Sequence, residues 1–151
     1  MSSIGQDEGG SGVTLTELRA KYPGAETSIF GDSATLSAEL LALVRKGVKR
    51  ATCTAMADVA SGEDAMPQIG RIDIFTTFDG RPALATRTLE LRLVRFCDMT
   101  EEMALAEGED ETLAGWQEGH GRYYRRLGIF APDMELIWER FEVVEDLGAV
   151  D

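Results

Sequence analysis

Apolar and polar positions alternate along this chain with two distinct periods, and the switches between them mark out the elements. Thr14 followed by Glu17 has the spacing of a capping box, and Leu15, Leu18 and Tyr22 recur at helical intervals until Pro23-Gly24. This predicts a short first helix. From Ser33 to Lys46, the stripe Leu36, Leu40, Leu43, Val44 runs to a terminal Gly47, with Arg45 and Lys46 in the last turn, which predicts a second. Val48 to Thr54 is too short and too β-branched to continue it, and Ala55 to Ser61 has room for a turn or two before Gly62.

Beyond residue 70 the period changes to two. Arg71 to Phe78, closed by Asp79-Gly80, reads as a strand entering a tight turn, and Pro82 to Phe96 as its long, bent hairpin partner. In that partner Leu89, Leu91 and Leu93 oppose Glu90 and Arg92. A helical stretch opens at Thr100, Glu107 to Glu111 form an acidic loop, and Leu113 to Leu127 return to helical spacing through Trp116, His120 and Tyr123. Met134 to Val144 predicts a closing strand. Helices around a few long strands, without βαβ alternation, argue for an α+β fold with a small, barrel-like sheet.

The first twelve residues carry no apolar period, and their Gly and Ser content predicts a flexible tail before a single domain spanning residues 13–151. No basic segment followed by an apolar run opens the chain, no apolar run is long enough for a membrane helix, and Cys53 and Cys97 form no CxxC pair. The expectation is a cytoplasmic protein with free thiols. A homodimer is compatible with these features.

Charge narrows the chemistry. Lys and Arg number 15 against 27 Asp and Glu, a formal charge of −12, which excludes a general nucleic-acid coat protein. A site-specific binder survives if its basic residues are gathered in one place. They are locally gathered: Arg45, Lys46, Lys49 and Arg50 fall within six positions, and Asp58 is the one acid between residues 40 and 60. Such a reversal suits a small anion-binding mouth, although a helix C-terminus attracts cations for structural reasons alone.

The reverse holds from Asp98 to Glu118, with eight acids and no base. Most of these suit a solvated face, but one turned inward beside a lysine and a hydroxyl would make a proton-transfer set. Leu113, Trp116, His120, Tyr123 and Leu127 share one helix face, mostly core by its pattern. Trp116 or Tyr123 is also a candidate platform for a base, worth about 1–3 kcal/mol per base stacked. Arg122, Arg125 and Arg126 follow on the same helix as candidate phosphate contacts. A nucleophilic Cys53 paired with His120 is a further alternative. One histidine and two distant cysteines make no zinc pattern, so no metal site is assigned, while Mg²⁺ or Mn²⁺ held loosely on Glu107, Glu109 or Asp110 stays open. No GxxxxGK[ST] or GxGxxG phosphate cradle occurs.

Together these pieces make a chain that resembles the ASCH domain family, small proteins with a PUA-like β-barrel. The likeness spans about residues 28–145. It is carried by Phe30-Gly31-Asp32, by Gly47-Val48-Lys49-Arg50-Ala51-Thr52 and by Pro67-Gln68-Ile69-Gly70. Further on it is carried by Ala106-Glu107-Gly108-Glu109, by Trp116 with His120, Tyr123 and Tyr124, and by Pro132-Asp133-Met134 with Glu139-Arg140-Phe141. The resemblance implies RNA or a modified nucleoside as ligand, in a cleft where the lysine element meets the acidic segment. Members of this length are linked with ribonuclease activity, and shorter relatives hydrolyse the amide of N(4)-acetylcytidine with a lysine, a threonine and a glutamate. The matching positions are Lys49, Thr52 and Glu107. Here Arg50 departs from the family's frequent Lys-Thr pair.

The leading expectation is therefore an RNA-directed hydrolase that cleaves single-stranded RNA around Lys49. The alternatives are amide hydrolysis with Thr52 as nucleophile and Lys49 as its base, and an RNA or nucleotide binder without chemistry. Arg45, Lys46, Arg50, Trp116, His120, Tyr123, Arg122 and Arg125 are the expected substrate contacts.

Overall fold

The computed structural model describes residues 13–150, so the expected tail at residues 1–12 lies outside the described residues. The helices are α1 (Leu15–Lys21), α2 (Ala34–Arg45), α3 (Met56–Ala60), α4 (Glu101–Ala106) and α5 (Leu113–Arg126). The strands are β1 (Glu26–Ser28), β2 (Ala51–Ala55), β3 (Ile72–Thr76), β4 (Pro82–Arg95) and β5 (Glu135–Asp146). Five strands pair in the order β1-β3-β4-β5-β2. No described helix is long and apolar enough to cross a membrane.

The caps form as their sequences require. Thr14 and Glu17 close a reciprocal capping box on α1, and Ser33, Thr100 and Thr112 accept backbone N–H groups at the starts of α2, α4 and α5. Strand β1 is absent from the sequence-based expectation. It is a three-residue edge strand parallel to β3, too short to show alternation, and its neighbour rather than its own pattern defines it.

The chain divides into two compact units. The first comprises the described parts of Met1–Lys46, Gly70–Arg87 and Glu142–Asp151. Its buried apolar cluster joins Leu18, Ile74 and Leu147, and Phe30 stacks on Phe75 at 3.9 Å between ring centroids. The second comprises Gly47–Ile69 and Thr88–Phe141. Its core gathers Ala51 and Ala55 from β2, Leu136 and Trp138 from β5, Phe96, Met99, Met103 and Ala104, and Trp116 and Tyr124 from α5.

Within the second unit, β2 and β5 are antiparallel, with Cys53 opposite Trp138 and Thr52 opposite Glu139. Directly opposed residues project to the same face and alternate residues to opposite faces. Ala51, Cys53 and Ala55 therefore face the core with Leu136 and Trp138, whereas Thr52 and Thr54 face the other way with Ile137 and Glu139.

Candidate functional site

The acidic loop after α4 is fastened to the start of β2. Arg50 donates its backbone N–H to the Ala106 carbonyl at 2.8 Å, and Gly108 lies directly on the Val48-Lys49 backbone. A Cβ on Gly108 would stand 2.6 Å from Lys49 Cα and from the Val48 carbonyl oxygen, and its φ of +76° is left-handed. Only glycine fits here on both counts.

This fastening buries Lys49, which is 2% exposed. Its Nζ donates to the carbonyls of Ala51 at 2.8 Å and Glu107 at 3.2 Å, and to Glu109 Oε2 at 2.7 Å. Three acceptors around the nitrogen match the three N–H donors of an ammonium. Burying such a charge costs several kcal/mol unless it is bonded and paired, and here the pairing carboxylate is Glu109. The Glu109 side chain is 28% exposed, so this pair has an edge in solvent.

Behind it sits a second carboxylate. Glu107 is 1% exposed and accepts from Trp116 Nε1 at 3.0 Å and Cys53 Sγ at 3.2 Å, both on Oε2, while His120 Nε2 lies 3.5 Å from Oε1. Burial pushes the Glu107 carboxyl upward, but the His120 contact and the Lys49 charge outweigh it, so its pKa is lowered. His120 donates Nδ1–H to the Trp116 carbonyl at 3.0 Å, which leaves Nε2 turned to Glu107. Burial lowers the imidazole pKa, and the neighbouring carboxylates of Glu107 and Glu109 more than reverse that, so it is raised overall. The His120 ring stacks on Trp116 at 4.2 Å. Burial first, and then Glu107, push the Cys53 thiol well above its ordinary pKa. Its Sγ donates S–H to Glu107, and the upward shift works against the thiolate that a nucleophile needs. Asp110 is also raised, by burial foremost.

The structure thus gathers Lys49, Glu107, His120 and Trp116 in one unit. It adds Glu109 as the lysine's partner and Cys53 as a donor to Glu107, two roles the sequence reading did not assign. The left-handed turn at Gly108 brings the Glu107 carbonyl and the Glu109 carboxylate to Lys49 Nζ and sends the Glu107 carboxylate inward, a division that the Glu-Gly-Glu spacing alone does not announce. Thr52 is placed otherwise, across β2 from the Cys53–Glu107 contact and opposite Glu139. Trp116 is fully buried, its faces used by His120 and Phe96 rather than offered to a base.

The remaining expected contacts are divided between the two units. Arg45 belongs to the first unit, where its guanidinium reaches Asp146 and the carbonyls of Ala83 and Ala149. Lys46 and Arg50 have exposed side chains. On α5, Arg122 pairs with Glu118, Arg125 lies over the Phe130 ring at 4.2 Å, and Arg126 lies over the exposed ring of Tyr123 at 5.4 Å. Among the described residues no group of three or more His, Cys, Asp or Glu is arranged to hold a metal ion. The oxygens of Glu107 face Trp116, Cys53 and His120, and Glu109 faces Lys49.

A family model of the ASCH domain matches residues 26–145. This chain belongs to the ASCH domain family. The crystal structure of an ASCH domain from Lactobacillus crispatus is 31% identical, covers 89% of this chain and 87% of its own, and superimposes with a TM-score of 0.72. A protein of known structure from Enterococcus faecalis is also 31% identical, covers 87% of this chain and 85% of its own, and gives a TM-score of 0.77. A hypothetical protein at 15% identity and a TM-score of 0.52, covering 70% of this chain and 92% of its own, shares the fold alone. No curated protein matches significantly. The fold is α+β, a five-stranded half-barrel sheet with flanking helices, as in the ASCH and PUA-like neighbours. The ASCH family is generally associated with RNA binding.

Proposed function

We propose that this ASCH domain is an RNA-directed hydrolase that cleaves single-stranded RNA at the Lys49–Glu109 pair. The observation that carries this reading is a buried ammonium whose anionic partner keeps one edge in solvent. An RNA phosphate that displaces the Glu109 carboxylate from Lys49 would find a desolvated cation. The same displacement frees a carboxylate beside it to take the proton of the attacking 2′-hydroxyl. The oxygen so formed attacks phosphorus and expels the 5′-oxygen, which takes the proton back from that carboxyl group and leaves as a 5′-hydroxyl; water then opens the resulting 2′,3′-cyclic phosphate to a phosphate monoester. Donors aimed at the developing phosphorane charge are worth about 3–4 kcal/mol each.

Glu107 has another task in this scheme. It is closed in by three donors and orients the lysine loop instead of meeting substrate. Amide hydrolysis fits less well, because Thr52 projects from the face of β2 opposite to the Glu107 cluster and the Nζ donors of Lys49 are directed at acceptors instead of standing as a base for a hydroxyl. Binding without chemistry is the second reading, favoured by the full set of acceptors around that ammonium. Labelled single-stranded RNA separates the two: cleavage products with 5′-hydroxyl ends support hydrolysis. Salt-sensitive binding that yields no product over hours supports a binder, and neither binding nor product defeats both.

A further inference from the structure

The face of β2 and β5 turned away from the Lys49 cluster carries a carboxyl group that the scheme above leaves unused. Glu139 is 5% exposed. It accepts a hydrogen bond from the Thr88 hydroxyl, and among the described residues no other hydrogen bond or ion pair reaches it. Its other oxygen is not among the buried side-chain atoms that lack a partner, which among the described residues are Ser37 Oγ and Arg71 Nε, so that oxygen keeps a contact with solvent. Directly across the ladder stands Thr52, whose half-buried hydroxyl likewise has no hydrogen bond among the described residues. By strand alternation the residues flanking Glu139 on its face are Ile137 and Phe141, both buried. The outcome is an acceptor and a donor directly opposed across the ladder, with buried apolar neighbours along β5.

We propose that Glu139 and Thr52 form a base-reading contact for an exocyclic amine beside an unprotonated ring nitrogen, the edge shared by cytosine and adenine. The Glu139 oxygen that does not bind Thr88 accepts from the amine, and the Thr52 hydroxyl donates to the ring nitrogen. Uracil presents a carbonyl and an N–H in those positions and so meets the pair with its polarity reversed. Carboxylates accept from amino groups of bases and hydroxyls serve as donor or acceptor, so the pairing is chemically ordinary. This assignment rests on the RNA-directed reading above and gives it a substrate preference.

The test uses the full chain and labelled RNA decamers of cytidine, adenosine or uridine, methylated at every 2′-oxygen so that they bind without being cut. The expected result is tighter binding of the cytidine and adenosine oligomers than of the uridine one by about 5- to 150-fold, the range a good side-chain-to-base contact gives. Glu139→Leu and, independently, Thr52→Val should bring the three affinities to within about twofold, while Lys49→Met weakens all three alike. Circular dichroism melting confirms that each variant is folded. Equal binding of the three oligomers by the wild type, or a preference that survives both Glu139→Leu and Thr52→Val, overturns the base-reading role and leaves the RNA reading standing. Failure of the wild type to bind any oligomer, methylated or not, overturns both.

Discussion

Replacing Glu107 with Gln tests the logic of the buried cluster through its pH dependence. Both Trp116 Nε1 and Cys53 Sγ donate to Oε2, so an amide oxygen at that position keeps these two bonds. The amide nitrogen then falls where Oε1 stood, facing His120 Nε2 at about the 3.5 Å seen in the wild type. An amide N–H is compatible with the lone pair of a neutral imidazole and clashes with the N–H of an imidazolium. In the wild type the His120 pKa is raised, so its stabilisation is complete below the ordinary value of 6.5 and is lost as pH rises through the folded value. The Glu107 pKa is lowered, so its stabilisation is complete above the ordinary 4.5 and is lost as pH falls through the folded value. The two windows overlap between about pH 4.5 and 6.5. Removing one partner of a buried charge pair costs about 3–5 kcal/mol, and the two bonds that survive put the cost of Glu107→Gln near the lower end, about 3 kcal/mol, inside that window. Above the His120 transition the cost should shrink to about 1 kcal/mol, the scale of one neutral hydrogen bond. Urea denaturation of both proteins from pH 5 to pH 9 measures this difference. A gap between them that stays constant, or widens towards alkaline pH, refutes the assigned ion pair.

Three further outcomes are expected. Gly108→Ala should lose about 2 kcal/mol or more by denaturant melting, because a side chain at φ +76° is strained and its Cβ meets backbone 2.6 Å away; a loss below 0.5 kcal/mol would show the loop free to move. In native protein Cys97, which is exposed, should react with iodoacetamide at neutral pH well before Cys53, whose thiol pKa is pushed up; equal labelling rates would contradict the thiol assignment. Trp116→Phe leaves Glu107 without its indole donor and should cost about 1–3 kcal/mol while moving the His120 titration followed by NMR; an unmoved titration would show that the indole has no part in setting the carboxylate.

How much of this was legible in the sequence varies with the physics involved. Capping residues, terminal glycines and the change of period from helical to two-residue announce α1, α2, α5 and the long strands, because those signals are local. Strand β1 was invisible, since three residues acquire their conformation from β3. Lys49 stood out as part of a basic cluster, yet its side chain is the buried one: Arg45 is bonded to the Ala149 carbonyl within the first unit, and Lys46 and Arg50 are exposed. Sequence proximity reported charge but not direction. The same limit governed Thr52 and Cys53, neighbours in the chain that a strand turns to opposite faces. Glu107 and Glu109 look equivalent in an acidic run, and only the turn at Gly108 and the burial of Trp116 assign one to the interior and one to the lysine.

The Lys49–Glu109 pair is tested most directly by the rate at which purified protein cuts labelled single-stranded RNA, wild type beside Lys49→Met and Glu109→Gln, with the folding of each checked by circular dichroism. The account predicts cleavage by the wild type and a fall of about 100-fold or more in each variant, the order expected when a charge-stabilising donor or a proton-transfer group is removed. Undiminished cleavage by either folded variant would contradict it.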